Sequence, residues 1–136
     1  MVEQQATELQ AGGLTFTVSF REVGATLRVL GPVGDREKEL VRFDDFVDTP
    51  HYHVPADGPA IAFDVAANGE PLEWIVGQLR DHLADLLTEG GYAEVIPRVD
   101  AAAVSAQAGA IRQMLVDCVP EGYVRPPGQA LQRATG

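Results

Sequence analysis

The sequence predicts an α+β fold, with about four antiparallel β-strands followed by two helices packed on one face of the sheet. Segments in the first half alternate apolar and polar residues, as half-buried strands do. The second half repeats its apolar residues at helical spacing. The 136 residues are expected to form a single domain, 1–136, that buries its own core. Its ends, 1–12 and 124–136, are polar and are expected to be mobile or to lie along the surface.

Four segments carry the strand pattern. The predicted strands are 14–20, 25–30, 39–43 and 60–65. In the first, Leu14, Phe16 and Val18 alternate with threonine and serine, which favours one apolar and one polar face. Because Gly24 leaves only a short connection, the first two strands are expected to form a hairpin.

The predicted helices follow the last strand. Pro71 suits the first turn of a helix that Gly90 and Gly91 close. Its apolar stripe consists of Leu72, Ile75, Val76, Leu79, Leu83 and Leu86. Asp100 is a suitable N-cap for the second helix, which is expected to run to about Cys118.

The charge balance argues against two classes of partner. Twenty acidic residues face ten basic ones, giving a net charge of −10, and such a field repels the phosphates of nucleic acids and anionic lipids. We therefore expect neither nucleic acid nor a membrane as a partner. No apolar run is long enough to span a bilayer, and Glu3 and Glu8 do not fit a secretory signal, so we expect a cytoplasmic protein.

The standard catalytic signatures are missing from the sequence, which favours a protein that is not an enzyme. There is no glycine-rich phosphate loop, no nucleophile elbow and no His-Glu-x-x-His motif. The one cysteine, Cys118, is predicted at a helix C-terminus beside Asp117, and both features disfavour a thiolate.

A proline-rich segment at 44–59 contains His51-Tyr52-His53, the one notable cluster of possible ligands. In an extended segment both imidazoles project from one face, and Tyr52 and Val54 from the other. Two imidazoles could hold a divalent metal such as zinc with one further ligand. The candidates are Asp44, Asp45, Asp48 and His82. The alternative is that both histidines form only local hydrogen bonds, so that no cofactor is bound.

Trp74 is predicted on the polar side of its helix, about 140° from the centre of the apolar stripe. A large exposed aromatic residue is typical of a contact surface, to which Tyr52 could contribute. The alternative is that the proline-rich segment or the C-terminal tail covers Trp74. Together with the alanine-rich second helix, the first interpretation predicts a homodimer.

The segments Phe43-Asp44-Asp45-Phe46 and Pro50-His51-Tyr52-His53, followed by Trp74 and Leu79-Arg80, resemble an uncharacterised bacterial family of small domains. The resemblance covers about residues 40–92 and implies no activity.

Three hypotheses follow, and the function stays unknown among them. The leading one is an acidic, non-enzymatic binding or assembly module, expected to be a homodimer with a possible protein partner. The first alternative is a divalent-metal-binding protein or metal-dependent enzyme using His51 and His53. The second is a small-ligand carrier with a pocket between the sheet and the helices.

Overall fold

The computed structural model describes residues 7–21, 24–46 and 49–120. The strands are β1 (Thr7–Ala11), β2 (Leu14–Arg21), β3 (Gly24–Val33), β4 (Arg36–Phe46), β5 (His51–His53) and β6 (Ile61–Ala62). They form one antiparallel sheet in which each strand pairs with its neighbours in sequence. The predicted terminal segment 124–136 lies outside the described residues, and 1–12 is described from Thr7 onward.

Helices make up the rest of the architecture and confirm the α+β class. They are α1 (Val65–Asn68), α2 (Pro71–Asp81), α3 (Leu83–Glu89), α4 (Ala101–Ala106) and α5 (Ala108–Asp117), with a 3₁₀ helix at Ala93–Arg98. None of the helices within the described ranges is both long and apolar enough to cross a bilayer.

The sheet has two strands more than predicted, and each escaped prediction for a physical reason. β1 is an edge strand that is largely exposed, so it needs no apolar face and its sequence, Thr-Glu-Leu-Gln-Ala, does not alternate strongly. β5 contains only three residues and lies within the proline-rich segment. The last strand, β6, is shorter than the predicted 60–65 because Asp64 caps α1, accepting a hydrogen bond from the amide of Ala67.

A β-bulge in β4 breaks the alternation of that strand. Its register with β3 shifts between Val29 and Leu30, and two successive residues, Leu40 and Val41, are both buried. An extra residue in one strand of an antiparallel pair has this effect. As a result Glu39 and Arg42 come together, with Arg42 Nε 2.9 Å from Glu39 Oε2.

One face of the sheet, called here the inner face, carries the apolar core. The register aligns Val18 with Leu27 and Leu27 with Phe43. Leu79 and Leu83 are buried in the same cluster as these three residues, as the sequence predicts. Phe63, which was also expected in the sheet, lies beyond the end of β6.

Each predicted helix is divided in two. At His82 the backbone takes φ −132° and ψ 24°, which separates α2 from α3. Gln107 likewise separates α4 from α5. The predicted helix ends are confirmed, since Pro71 lies in the first turn of α2 and the side chain of Asp100 caps α4 by accepting from Ala103 N.

Candidate metal centre

The opposite face of the sheet, called here the outer face, is polar. Strand register places two rows of residues across it. One row is Ser19, Thr26, Asp44 and His51, and the next is Thr17, Arg28, Arg42 and His53. Although polar, Thr26 is 0% exposed and Asp44 is 5% exposed. Burying a carboxylate is unfavourable without partners, so the surroundings of Asp44 are the place to look for a site.

The two histidines of β5 face Asp44 from the neighbouring strand. Both project from the outer face, while Tyr52 packs against the core on the inner face and Val54 is buried, as predicted for an extended segment. Nε2 of His51 lies 3.0 Å from Oδ2 of Asp44. Nε2 of His53 lies 3.6 Å from the same oxygen. The three ligand atoms lie within 4.8 Å of one another.

The other ring nitrogen of each histidine contacts a backbone carbonyl. Nδ1 of His51 is 2.7 Å from the oxygen of Thr49, and Nδ1 of His53 is 2.9 Å from the oxygen of Gly58. A carbonyl oxygen can only accept, so Nδ1 carries the proton in both rings. In the neutral form each Nε2 then has a free lone pair directed toward Asp44.

The loop after β5 fixes the position of the Gly58 carbonyl. The amide of Ala56 donates to the oxygen of Leu40 at 2.9 Å, and the amide of Gly58 donates to the oxygen of Pro55 at 2.9 Å. Val54, at the start of the loop, is buried in the core. These contacts hold the acceptor that selects the tautomer of His53.

Asp44 is oriented by Thr26 on the adjacent strand. The hydroxyl Oγ1 of Thr26 donates to Oδ1 of Asp44 at 2.8 Å, and this hydrogen bond is buried. The other oxygen, Oδ2, is the one that faces the two imidazoles. The carboxylate is therefore arranged to offer a single oxygen.

With Nδ1 carrying the proton, two neutral imidazoles and a carboxylate all present acceptor atoms to one another. A proton on Nε2 or a metal ion between the three atoms would supply the missing positive charge. Two ligands that each lie about 2.1 Å from a metal ion are about 3.0 Å apart at a right angle and about 3.4 Å apart at the tetrahedral angle. The observed separations of 3.0 Å and 3.6 Å are close to these values. Protons would have to be added to both rings to satisfy the two contacts, whereas one metal ion can contact all three atoms.

The other predicted ligands do not join this cluster. His82 lies at the boundary between α2 and α3. Its side chain is 55% exposed, with Nδ1 3.7 Å from Oδ2 of Asp85. It also lies among the helices, on the other side of the sheet. Asp45 pairs with Ala25 in the register and so points to the inner face. Asp48 lies outside the described residues.

Trp74 is half-buried, because aromatic side chains of the same chain pack against it. Its ring centroid is 4.9 Å from that of Tyr52, 5.0 Å from that of Phe63 and 6.0 Å from that of Phe43. Tyr52 lies in the proline-rich segment and Phe63 lies just after it, so these contacts favour the alternative interpretation of Trp74.

Cys118 lies half-buried after α5 and is not an activated thiol. Burial, followed by the charges of Asp45 and Asp117, raises the pKa of this thiol to about 11. Its Sγ donates to the carbonyl oxygen of Leu115 at 3.3 Å. The direction of this shift agrees with the prediction that a thiolate is disfavoured, but burial contributes more than Asp117 does.

Sequence reasoning missed the partners that hold the three ligands. Thr26 lies in β3, 18 residues before Asp44, and only the strand register brings them together. Thr49 and Gly58 contribute backbone carbonyls, which leave no signature in a sequence. The alternation of β3 predicts that Thr26 lies on the polar face of the sheet. It does not predict that the hydrogen-bond partner of Thr26 is Asp44.

A family model described as a domain of unknown function, DUF7700, matches residues 8–115. The chain belongs to this family. The DUF7700 match includes Asp44, His51 and His53, and it extends well beyond the residues 40–92 on which the resemblance was based. It confirms that the chain belongs to an uncharacterised family and implies no activity. No curated protein and no solved structure matches the chain.

Proposed function

We propose that this DUF7700 domain binds a divalent metal ion through Oδ2 of Asp44 and Nε2 of His51 and His53. The observation that carries the proposal is the orientation of both rings, since each Nδ1 lies within hydrogen-bond distance of a carbonyl oxygen and each Nε2 faces the same carboxylate oxygen. Hydrogen bonds of this kind orient metal-binding histidines and make them better ligands. Metal binding was an alternative in the sequence analysis; the geometry favours it over the leading one.

The donor set narrows the choice of metal and the role of the site. Imidazole nitrogens suit zinc, iron, nickel and copper, and a single carboxylate oxygen is compatible with each. Three protein ligands leave at least one position for water or a substrate oxygen, which is the arrangement of catalytic zinc sites and of two-histidine, one-carboxylate iron sites. The proposal therefore includes metal-dependent catalysis as well as metal binding.

Thermal unfolding with and without metal tests the proposal. After treatment with a chelator, the protein is melted with Zn²⁺, Mn²⁺ or Ni²⁺. A ligand at about 100 times its dissociation constant stabilises the folded state by roughly 2.7 kcal/mol, so a clear rise in melting temperature is expected. The double variant His51→Ala/His53→Ala should show none.

Two results would contradict metal binding at this centre. One is a parent protein whose melting temperature no metal changes. The other is a shift of equal size in the parent and in the double variant. The variant His82→Ala is the matched control, because His82 is an exposed histidine away from the cluster, and it should respond to metal as the parent does.

A homodimer is a second proposal, and it now rests on the helix surface alone. Alanines of α4 and α5, including Ala102 and Ala110, are exposed, and small residues allow close packing between helices. Val116 and Val119 are 42% and 36% exposed and add apolar surface near the end of α5. Trp74, covered within the monomer, no longer supports the dimer. A cytoplasmic location likewise stays a prediction.

The small-ligand carrier remains a weaker alternative. Between the sheet and α5 lies an apolar groove of about 300 Å³, bordered by Phe20, Ala25, Leu72 and Leu115. This volume is at the lower limit for ligand pockets. Among the groove's lining residues only Asp45 and Glu70 are charged, so the groove offers little chemistry to identify a ligand.

A further inference from the structure

Two arginines lie beside the candidate metal centre on the outer face. Arg42 of β4 is directly opposite His53 of β5, and Arg28 of β3 is directly opposite Arg42. Directly opposed residues of antiparallel strands have Cβ atoms about 4.5–5.5 Å apart, so their side chains are neighbours. Arg42 is thus next to a proposed metal ligand, and Arg28 is one strand farther away.

Glu39 holds the guanidinium of Arg42 and leaves part of it available. Nε and Nη2 of Arg42 donate to the two oxygens of Glu39 at 2.9 Å and 3.0 Å. Within the described part of the chain, Nη1 makes no hydrogen bond. The side chain of Arg42 is 31% exposed, so solvent and small molecules can reach it. The guanidinium is fixed on one edge while the remaining N–H groups stay free to donate.

The local charge balance favours an anion once a metal is bound. The row that contains Arg28 and Arg42 continues to Glu8 of β1, which is opposite Thr17. Together with the adjoining Glu39, the two rows carry two positive charges, from Arg28 and Arg42, and three negative ones, from Glu8, Glu39 and Asp44. A divalent cation at the centre turns this balance into an excess of one positive charge. This local excess is opposite in sign to the net charge of −10 of the whole chain.

We propose that the metal centre takes a small oxyanion, with one oxygen on the metal and a second accepting a hydrogen bond from Nη1 of Arg42. This inference rests on the proposed metal binding and adds a ligand class to it. A guanidinium donates in a plane that matches the paired oxygens of carboxylates and phosphates. The three protein ligands leave the coordination position that such an oxygen needs.

Cobalt provides a spectroscopic test, because the visible absorption of Co²⁺ changes when its ligands change. The protein is loaded with Co²⁺ and titrated with inorganic phosphate and, separately, with acetate. We expect saturable spectral changes with at least one of the two anions, and the lower dissociation constant identifies the preferred oxyanion. Isothermal titration of metal-free protein with the same anions should show no saturable binding.

The variants Arg42→Gln and Arg28→Gln separate a specific contact from general electrostatics. Both remove one positive charge from the same face, and both arginines contact Glu39. Loss of a hydrogen bond between charged groups should weaken anion binding about ten-fold or more in Arg42→Gln. Arg28→Gln should retain anion affinity to within about three-fold, since its charge acts from a greater distance. Both variants should bind Co²⁺ as the parent does.

The outcomes distinguish this inference from the proposed function. A protein that does not bind Co²⁺ contradicts both. A protein that binds Co²⁺ but whose spectrum neither anion changes keeps the metal centre and overturns the oxyanion site. Equal losses of anion affinity in the two arginine variants also overturn it, because they would assign the effect to overall charge.

Discussion

The hydroxyl of Thr26 donates a 2.8 Å hydrogen bond to Oδ1 of Asp44, and both side chains are almost fully buried on the polar face of the sheet. This contact fixes which oxygen of the carboxylate faces the histidines. It also compensates part of the cost of burying a charged group. Stability and ligand geometry are therefore coupled at one side chain.

Replacing Thr26 by valine tests this coupling. Thr26→Val keeps the shape of the side chain and leaves a buried carboxylate oxygen without its donor, so the free energy of unfolding should fall by about 1–3 kcal/mol. Metal affinity should fall about 10-fold to 100-fold, as it does when a residue that orients a ligand is lost. Urea unfolding and metal titration measure the two effects.

Thr17→Val is the control for this experiment. Thr17 lies on the same face, and its hydroxyl makes no hydrogen bond to other described residues. Its replacement should leave metal affinity unchanged. If Thr26→Val and Thr17→Val behaved alike, the contact between Thr26 and Asp44 would not position the ligand.

Leu79 should contribute strongly to stability, because it is 1% exposed in the core under the sheet. Leu79→Ala is expected to lower the free energy of unfolding by roughly 2–5 kcal/mol, the usual result of emptying a core site. Val116→Ala, on a helix residue that is 42% exposed, should change it by less than about 0.5 kcal/mol. Chemical denaturation measures both, and a small loss for Leu79→Ala would contradict the packing of α2.

Trp74 should matter for folding rather than for assembly. Trp74→Ala removes a ring that packs on Phe43, Tyr52 and Phe63. Because the ring is only half-buried, the free energy of unfolding should fall by about 2–3 kcal/mol, less than for a fully buried tryptophan. The mass measured by light scattering should equal that of the parent. A variant of parental stability with a changed mass would restore Trp74 as an interface residue.

Cys118 should react slowly with alkylating reagents. With its pKa raised to about 11, the folded protein holds the reactive thiolate at a very low fraction near neutral pH, and the rate should rise with pH up to that pKa. In urea the thiol regains a pKa of about 8.5 and should react much faster. Mass spectrometry of iodoacetamide-treated samples follows the rates, and equal rates in the folded and unfolded states would contradict the burial.

The raised pKa of Cys118 also determines the direction in which pH changes the free energy of unfolding. The folded thiol keeps its proton at pH values where the unfolded thiol has lost it. Above about pH 8.5 the unfolded state is therefore favoured by deprotonation. The contribution of Cys118 is present below that pH and declines as the pH rises toward 11. The variant Cys118→Ala should lack this decline.

The homodimer prediction has a direct test. Light scattering should give twice the monomer mass of 14.6 kDa. Ala110→Arg, which places a long charged side chain on the exposed helix surface, should convert the dimer to a monomer without unfolding it. A constant monomer mass over a wide concentration range would exclude the dimer.

The sheet core and the helix ends were predictable because local patterns determine them. The alternation of β2, the stripe containing Leu79 and Leu83, and the cap at Asp100 all depend on neighbours in sequence. Two features of the sheet could not be predicted in this way: the edge strand β1 and the bulge at Leu40 and Val41. An exposed edge and an extra residue both remove the regular alternation of apolar and polar residues. The break at His82 has no proline or glycine to mark it.

The candidate centre could be predicted only in part. The shared face of His51 and His53 follows from the period of a strand, and Asp44 was one of several candidate ligands. To identify Asp44 rather than Asp45 as the ligand, one must know which residues of β4 and β5 pair. The sequence of the segment between these strands does not determine that pairing in any simple way. His82 does not join the cluster, because it lies between two helices on the other side of the sheet.

The order of the strands along the chain has a consequence for synthesis. Every strand of the sheet pairs with its neighbour in sequence, so the sheet can assemble by successive local hairpins, as fast-folding proteins of low contact order do. Its apolar face, however, is covered by helices that begin only at Pro71. On the ribosome, the apolar inner face of the sheet is therefore exposed until the second half of the chain emerges. We expect chaperones to bind this face during that interval.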